Sequence, residues 1–275
     1  ANIGGAAHVW AYDGKFRGLE NANHLIICNL YGGNDIAGEI RGTMPATFAA
    51  TRWTDLSDKQ FNTYVEIASD NAADRGFPLI GSGNGVQWAE DLGSRPEVGN
   101  ALIEIDGGST LRAFGGGNMA TVTDSTYIFT DAHSKNFANV SFTDYQKNIM
   151  QKVFFNDVLT GYTWTDNTLK LDPYHVVQLF GGNNVAEMKI QPQWNLLTGY
   201  LENVYSGGNL GNMTYYNPDG DEAEAGTVNL NPKGLSIHVE SDDININNLY
   251  GGCRMADVVA KDADGKDGKM GENDY

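Results

Sequence analysis

Cysteine is almost absent: Cys28 and Cys253 are the only two in 275 residues. The five histidines (8, 24, 133, 175, 238) show no H-x3-H or H-E-x-x-H spacing, so no metal site is expected. Basic residues are scarce as well, 18 Lys and Arg against 35 Asp and Glu, giving a net charge of −17 and a pI near 4.5. That balance disfavours nucleic acid and anionic membrane surfaces as partners, since both are held by basic patches. No apolar run approaches the ~18–20 residues of a membrane span, so no transmembrane segment is expected. No signal peptide is recognisable, as holds for any mature exported chain. Seven prolines stand against 34 glycines, a balance that suits many tight turns between short strands.

What is abundant is one phrase, Leu30-Tyr31-Gly32-Gly33-Asn34-Asp35-Ile36-Ala37, written five times. It returns with its aromatic at Phe114, Phe180, Tyr205 and Tyr250. Counting from the aromatic, the residue before is apolar and the second after is Gly: Gly33, Gly116, Gly182, Gly207 and Gly252. The fifth is Ile, Met, Val or Leu, and the sixth is Ala or Gly. Paired glycines permit a sharp corner between two strands, and a fixed offset across the corner keeps the same side chains pointing inward in every copy. Units that look alike and cannot bury their own apolar face are the mark of a solenoid. The expectation is an all-β, right-handed parallel β-helix with irregular insertions, rather than glycine-rich hairpins in an antiparallel sandwich. A coil of roughly 22 residues fits the intervals after Phe114 as about three, one and two coils, and fits the interval from Tyr31 to Phe114 poorly.

The organisation read from this is a single solenoid domain over 1–260, with inserts at about 43–100 and 132–174, and a charged Gly/Asp/Lys-rich tail or linker over 261–275. One or two short helices are expected in the inserts. In the first, Phe61, Tyr64, Val65 and Ala68 fall at i, i+3, i+4 and i+7 behind a cap at Asp55 or Ser57. In the second, Asp144 to Leu159 carries a loosely helical stripe. Gly81-Ser82-Gly83-Asn84-Gly85 fits neither a phosphate loop nor a nucleophile elbow and reads as a turn. In a regular stack Cys28 and Cys253 lie at opposite ends, too far apart for a disulfide, so both are read as free.

Chemistry finds little purchase. Asn34, Asn118, Asn183, Asn184 and Asn209 recur beside the corner glycines and, stacked, would hydrogen-bond as a ladder. Asp242 and Asp243 with His238 nearby form the one compact acid pair with a histidine, but strand neighbours point to opposite faces, which is wrong for two carboxylates flanking a glycosidic bond. In the tail, Asp262 to Gly268 fails the EF-hand frame because Lys266 falls at position 5 and Asp267 at position 6, leaving at most loose calcium binding and no expected cofactor. Trp53, Trp88, Trp164 and Trp194, like Trp10, lie away from the repeat aromatics; exposed, they would stack on sugar rings, and buried, they would anchor the inserts.

The phrase aromatic-Gly-Gly-x-Asn-apolar-Ala resembles the GGGN-type glycine-rich repeats of surface and adhesin-like proteins from gut Bacteroidales. The copies at Phe114, Phe180 and Tyr205 match best, and the copy with Cys253-Arg254 departs most. The likeness spans the five copies and not the inserts. It implies export to the cell surface or medium and a solenoid stalk, and it brings no catalytic residues. The expected function is therefore non-enzymatic: a surface-exposed or secreted β-solenoid presenting inserts to a glycan or to a host or bacterial surface protein. The alternatives are a polysaccharide-active lyase or hydrolase on the same fold, marked by three or more acids gathered with a basic residue (Asp242, Asp243 and Asp257 with Arg254), and a structural spacer.

Overall fold

The computed structural model describes residues 2–12, 26–27, 30–46, 52–68, 75–76, 79–85, 96–105, 109–131, 138–141, 164–165, 168–171, 175–215, 235, 237–239, 241, 243–256 and 258–260. The fold is all-β, and its two large sheets are parallel throughout. The first sheet runs Ala7–Tyr12, Thr63–Ala68, Pro96–Ile105, Thr121–Thr130, Pro192–Leu196, with Gly38–Glu39 beside the start of Pro96–Ile105. The second runs Ile26–Ile27, Arg75–Gly76, Ser109–Phe114, His175–Phe180, Gly199–Tyr205, Ile244–Tyr250, with Leu30–Tyr31 and Leu79–Ile80 joining the same series. Spatial order is chain order in both. As far as Gly199–Tyr205 the described chain moves between the two sheets, each return adding a strand beside the previous one. Ile244–Tyr250 then extends the second sheet with no described first-sheet strand directly before it.

This alternation places the repeat in register. Tyr31 pairs with Ile80, Ile80 with Phe114, and Phe114 with Phe180; Phe180 pairs with Tyr205 and Tyr205 with Tyr250. Six levels stand where five copies were read. The segment Leu79-Ile80-Gly81-Ser82-Gly83-Asn84-Gly85, expected to be a turn, is a copy with Ile for the aromatic and Ser for the second Gly. It also explains the awkward interval after Tyr31, which it divides into steps of 49 and 34 residues.

The estimate of three coils between Phe114 and Phe180 and two between Tyr205 and Tyr250 is likewise corrected. Those residues are direct neighbours, so each interval spans one level. Lengthening a loop is cheap, about 0.6 kcal/mol per doubling, so level spacing and sequence spacing are free to diverge. The 25-residue step between the Asn184 and Asn209 positions is the shortest among these levels.

The two sheets meet in one core. Val65, Ile103, Ile105 and Ile128 from the first sheet pack with Leu30, Ala113, Val176, Leu179, Leu201 and Val204 from the second. The expected helix over 61–68 is instead strand: Thr63–Ala68 pairs along its length with Ala7–Tyr12. The apolar positions fit both periods, but Thr63 and Val65 are β-branched, and Tyr64 is needed on the opposite face. There it joins Ala46, Leu56, Phe61, Leu102 and Phe129 in a second cluster that seats the segment before Thr63 against the sheet's outer face. That segment holds a 3-10 turn, Thr54–Leu56, whose N-cap is Trp53 with no side-chain cap from Asp55 or Ser57. Much of 43–100 thus belongs to the sheets.

Within 132–174 the described residues form a small antiparallel sheet of Ala138–Ser141, Thr168–Leu171 and Trp164–Thr165. The stripe over 144–159, the tail 261–275 and Cys28 lie outside the described residues. Cys253 Sγ accepts from the Gly208 N–H at 3.3 Å. No helix among the described residues is long and apolar enough to cross a membrane.

Candidate binding face

Each repeat phrase leaves the second sheet, turns a corner and delivers the chain toward its next strand. The aromatic before the corner stacks on its neighbours. Phe114 lies 4.8 Å from Phe180, Phe180 4.8 Å from Tyr205, and Tyr205 4.6 Å from Tyr250, all within 9° of parallel. These separations match the ~4.8 Å between strands, so the rings follow the backbone with no offset. Burial raises the pKa of Tyr205, aided by the neighbouring Tyr250 and opposed by Arg254. Burial raises that of Tyr31 as well, aided by Asp35.

Glycine follows because the levels touch there. A Cβ on Gly115 would lie 2.8 Å from the Gly181 carbonyl, and one on Gly181 would lie 2.6 Å from that of Ser206.

Four positions beyond the ring the side chains form a continuous ladder. Asn84 donates to Asp35 (2.8 Å), Asn118 to Asn84 (2.8 Å), Asn184 to Asn118 (2.8 Å) and Asn209 to Asn184 (2.7 Å). Arg254 closes the series, donating to Asn209 at 3.0 Å. The expected ladder is found, with three of its members corrected or added. Asp35 rather than Asn34 is the first rung. Asn183 turns inward, accepting from the Gly117 N–H at 2.6 Å. Asn84 and Arg254 were not foreseen. The run ends on an acceptor-only carboxylate at one end and a donor-only guanidinium at the other.

Outside the ladder, the fifth position is an apolar ridge. Ile36, Val185, Leu210 and Met255 are 40, 39, 48 and 66% exposed, with Met119 half-buried between them and Gly85 as the gap. Repetition along one corner makes this a single stripe rather than scattered exposed residues. The sixth position is buried in the inner copies (Ala120, Ala186, Gly211) and half-buried in the outer two (Ala37, Ala256), and the eighth (Val122, Met188, Met213) returns to the interior. The face therefore offers apolar contact beside a row of amides whose lengthwise hydrogen bonds are already made.

The expected tryptophan sites lie elsewhere. Trp53 packs edge-on to Tyr127 and against Phe129 within the outer cluster, and Trp194 packs against the main core. Both rings are half-buried, each with part of its surface given to packing. Trp164 falls in a strand whose side chains are outside the described set, and Trp88 lies outside the described residues altogether. Of the acids expected around Arg254, Asp242 and Asp257 also lie outside them, and Asp243 is an exposed turn residue bonded to Ser241.

Acids do gather with a basic residue, but on the first sheet. Arg52 contacts Glu104 and reaches Asp131 at 3.1 Å, and Tyr64 donates to Glu104. Glu66 sits beside Glu104 on the adjacent strand, with His8 at 3.6 Å. His8 stacks on Tyr64, and burial lowers its pKa despite the nearby Glu66 carboxylate. Glu104 is fully buried and Glu66 nearly so, at 0 and 3% exposure, and Arg52 also lies over the Phe129 ring. This arrangement ties the segment before Thr63 to the sheet, with Glu104 and Glu66 covered and Asp131 partly exposed. Nothing in local sequence marks it, since alternating Tyr64 and Glu66 read as an ordinary polar strand face. Among the described residues no group of three or more His, Cys, Asp or Glu is placed to hold a metal ion.

Neither a family model, nor a curated protein, nor a solved structure matches the chain.

Proposed function

We propose that the chain is a non-enzymatic β-solenoid of a cell-surface or secreted, adhesin-like protein, and that its corner face binds a glycan or a surface protein. The observation that carries this reading is the exposed ridge of Ile36, Val185, Leu210 and Met255 running in register beside the amide ladder. Stacked repeats make extended binding surfaces from small contributions of each unit, and apolar stripes rimmed by polar groups are typical contact faces. The face replaces the tryptophans as the favoured binding element, because Trp53 and Trp194 are engaged in packing. Parallel sheets whose strand order follows the chain support the solenoid, and the acidic composition agrees with an exported surface. The enzymatic alternative has the Glu66, Glu104, Asp131 and Arg52 cluster to draw on, and the burial of Glu104 weighs against it.

The test is binding of the 275-residue protein to glycan arrays and to surface-protein extracts, with and without calcium, while product release is followed in the same wells. Binding without turnover is expected. Ser substitutions at Ile36, Val185, Leu210 and Met255 together should lower it at least about tenfold with no change in melting temperature, since exposed sites contribute little to stability. Release of unsaturated or reducing-end products would overturn the reading, as would binding untouched by the ridge substitutions.

A further inference from the structure

The two ends of the second sheet carry the same phrase, with Leu249 and Tyr250 exposed at one end and Leu30 buried and Tyr31 half-buried at the other. At one end the strand Ile244–Tyr250 pairs with Gly199–Tyr205 on one side and with no described strand on the other. Its Leu249 and Tyr250 are 51 and 42% exposed, although their counterparts Val204 and Tyr205 are buried. A Cβ on Gly251 would meet nothing within 4 Å, whereas every equivalent glycine below it abuts a carbonyl. An open, parallel strand edge of this kind is a template for another strand. At the other end, Leu30–Tyr31 pairs with Leu79–Ile80 alone among the described residues.

The hydrogen-bond pattern fixes which groups each end offers. At every level the residue after the ring donates its N–H to the ring residue's carbonyl one level on, as Gly32 does to Ile80 (3.0 Å) and Ser206 to Tyr250 (3.0 Å). The next residue donates likewise, as Gly207 does to Gly252 at 3.1 Å. Continued by one level, the series calls for Gly251 and Gly252 to donate to carbonyls at the positions of Tyr31 and Gly33. The ladder gives the same answer by charge. Arg254, exposed, has more donors than its bonds to Asn209 and Tyr205 use, and Asp35, exposed, has a second carboxylate oxygen beyond the one that accepts from Asn84.

We propose that the occupant of the open end is a second copy of this chain, stacked head to tail. The edge of Ile244–Tyr250 would add Leu30–Tyr31 of the next molecule, Tyr250 stacking on Tyr31 and the Arg254 guanidinium meeting the Asp35 carboxylate. The contact joins different surfaces of the two copies, so it does not close on itself, and the product is an open filament. An Arg–carboxylate pair supplies both direction and register, because the same edge brought together tail to tail sets Arg254 against Arg254.

The test is sedimentation of the 275-residue chain over a wide concentration range, with amide exchange across Ile244–Tyr250. Wild-type protein should form species that grow with concentration, and those amides should slow as it does. Arg254→Asp and Asp35→Arg should each weaken association at least about tenfold, by setting like charges at the contact. Mixing the two variants should restore it, since every contact between unlike molecules is again a carboxylate with a guanidinium. A monomer at all concentrations would overturn the proposal, and protection of 244–250 in that monomer would assign the edge to the same molecule. Single variants that associate as well as wild type, or a mixture no better than either, would overturn it equally.

Discussion

Gly181→Val is expected to cost at least about 3 kcal/mol, the upper range for overpacking a filled site and a large share of an ordinary stability of about 5–15 kcal/mol. Three walls enclose that position. A Cβ there would lie 2.5 Å from Pro192 Cγ, 2.6 Å from the Ser206 carbonyl and 2.6 Å from Trp194 Cζ2. Two of these belong to the next visit to the first sheet and one to the next level of the second, so relief in one direction worsens another. The Gly181 N–H donates to Tyr205, which holds the backbone against retreat. Gly251→Ala is the control, because nothing lies near its Cβ, and it should fall within about 0.5 kcal/mol of wild type. Urea titration of the two variants measures both. A Gly181→Val protein as stable as Gly251→Ala would mean that the levels do not touch as described.

The second large effect is expected at Arg52. Arg52→Met strips Glu104, fully buried, of its guanidinium partner, and losing one member of a buried ion pair typically costs about 3–5 kcal/mol. The same change frees Asp131, which is partly exposed and recovers water at little cost. The double variant Arg52→Met, Glu104→Gln removes both charges and leaves an acceptor for Tyr64, so most of the lost stability should return. Thermal melts of the wild type, both singles and the double give the coupling directly. A double variant no better than Arg52→Met would mean that Arg52 acts by packing over Phe129 rather than through Glu104.

Particular residues show where the fold was legible and where it was not. The aromatic, the glycines and the sixth-position Ala or Gly were readable because each is dictated by contact with the level above. The copy at Ile80 escaped because the phrase was counted from its ring, and stacking tolerates an aliphatic side chain at that end of the row. Gly81 and Asn84, which make the backbone contact and the rung, were the signal that remained. The strand at Thr63–Ala68 was hidden by apolar residues that satisfy two periods at once. Only the pairing with Ala7–Tyr12 and Pro96–Ile105 decides between them, and such pairing is non-local. Coil counting failed at Phe114–Phe180 because inserted chain is thermodynamically cheap. The polar anchor around Glu104 was invisible for a similar reason: its partners come from chain positions far apart, and a buried carboxylate looks in sequence like a solvated one. The ladder was foreseen in kind and misassigned in part, since Asn34 and Asp35, or Asn183 and Asn184, are adjacent and point to opposite faces.

The solenoid itself is tested most directly by distances along the exposed ridge. Nitroxide pairs placed at Ile36 with Val185, Leu210 or Met255, in a chain with Cys28 and Cys253 replaced by Ser and diluted with unlabelled protein, sample three, four and five level steps. At ~4.8 Å per level, pulsed dipolar spectroscopy should return mean separations of about 14, 19 and 24 Å, rising in equal steps. Equal steps would establish a straight stack of six levels. Separations that failed to increase in that order, or that clustered at one value, would contradict it.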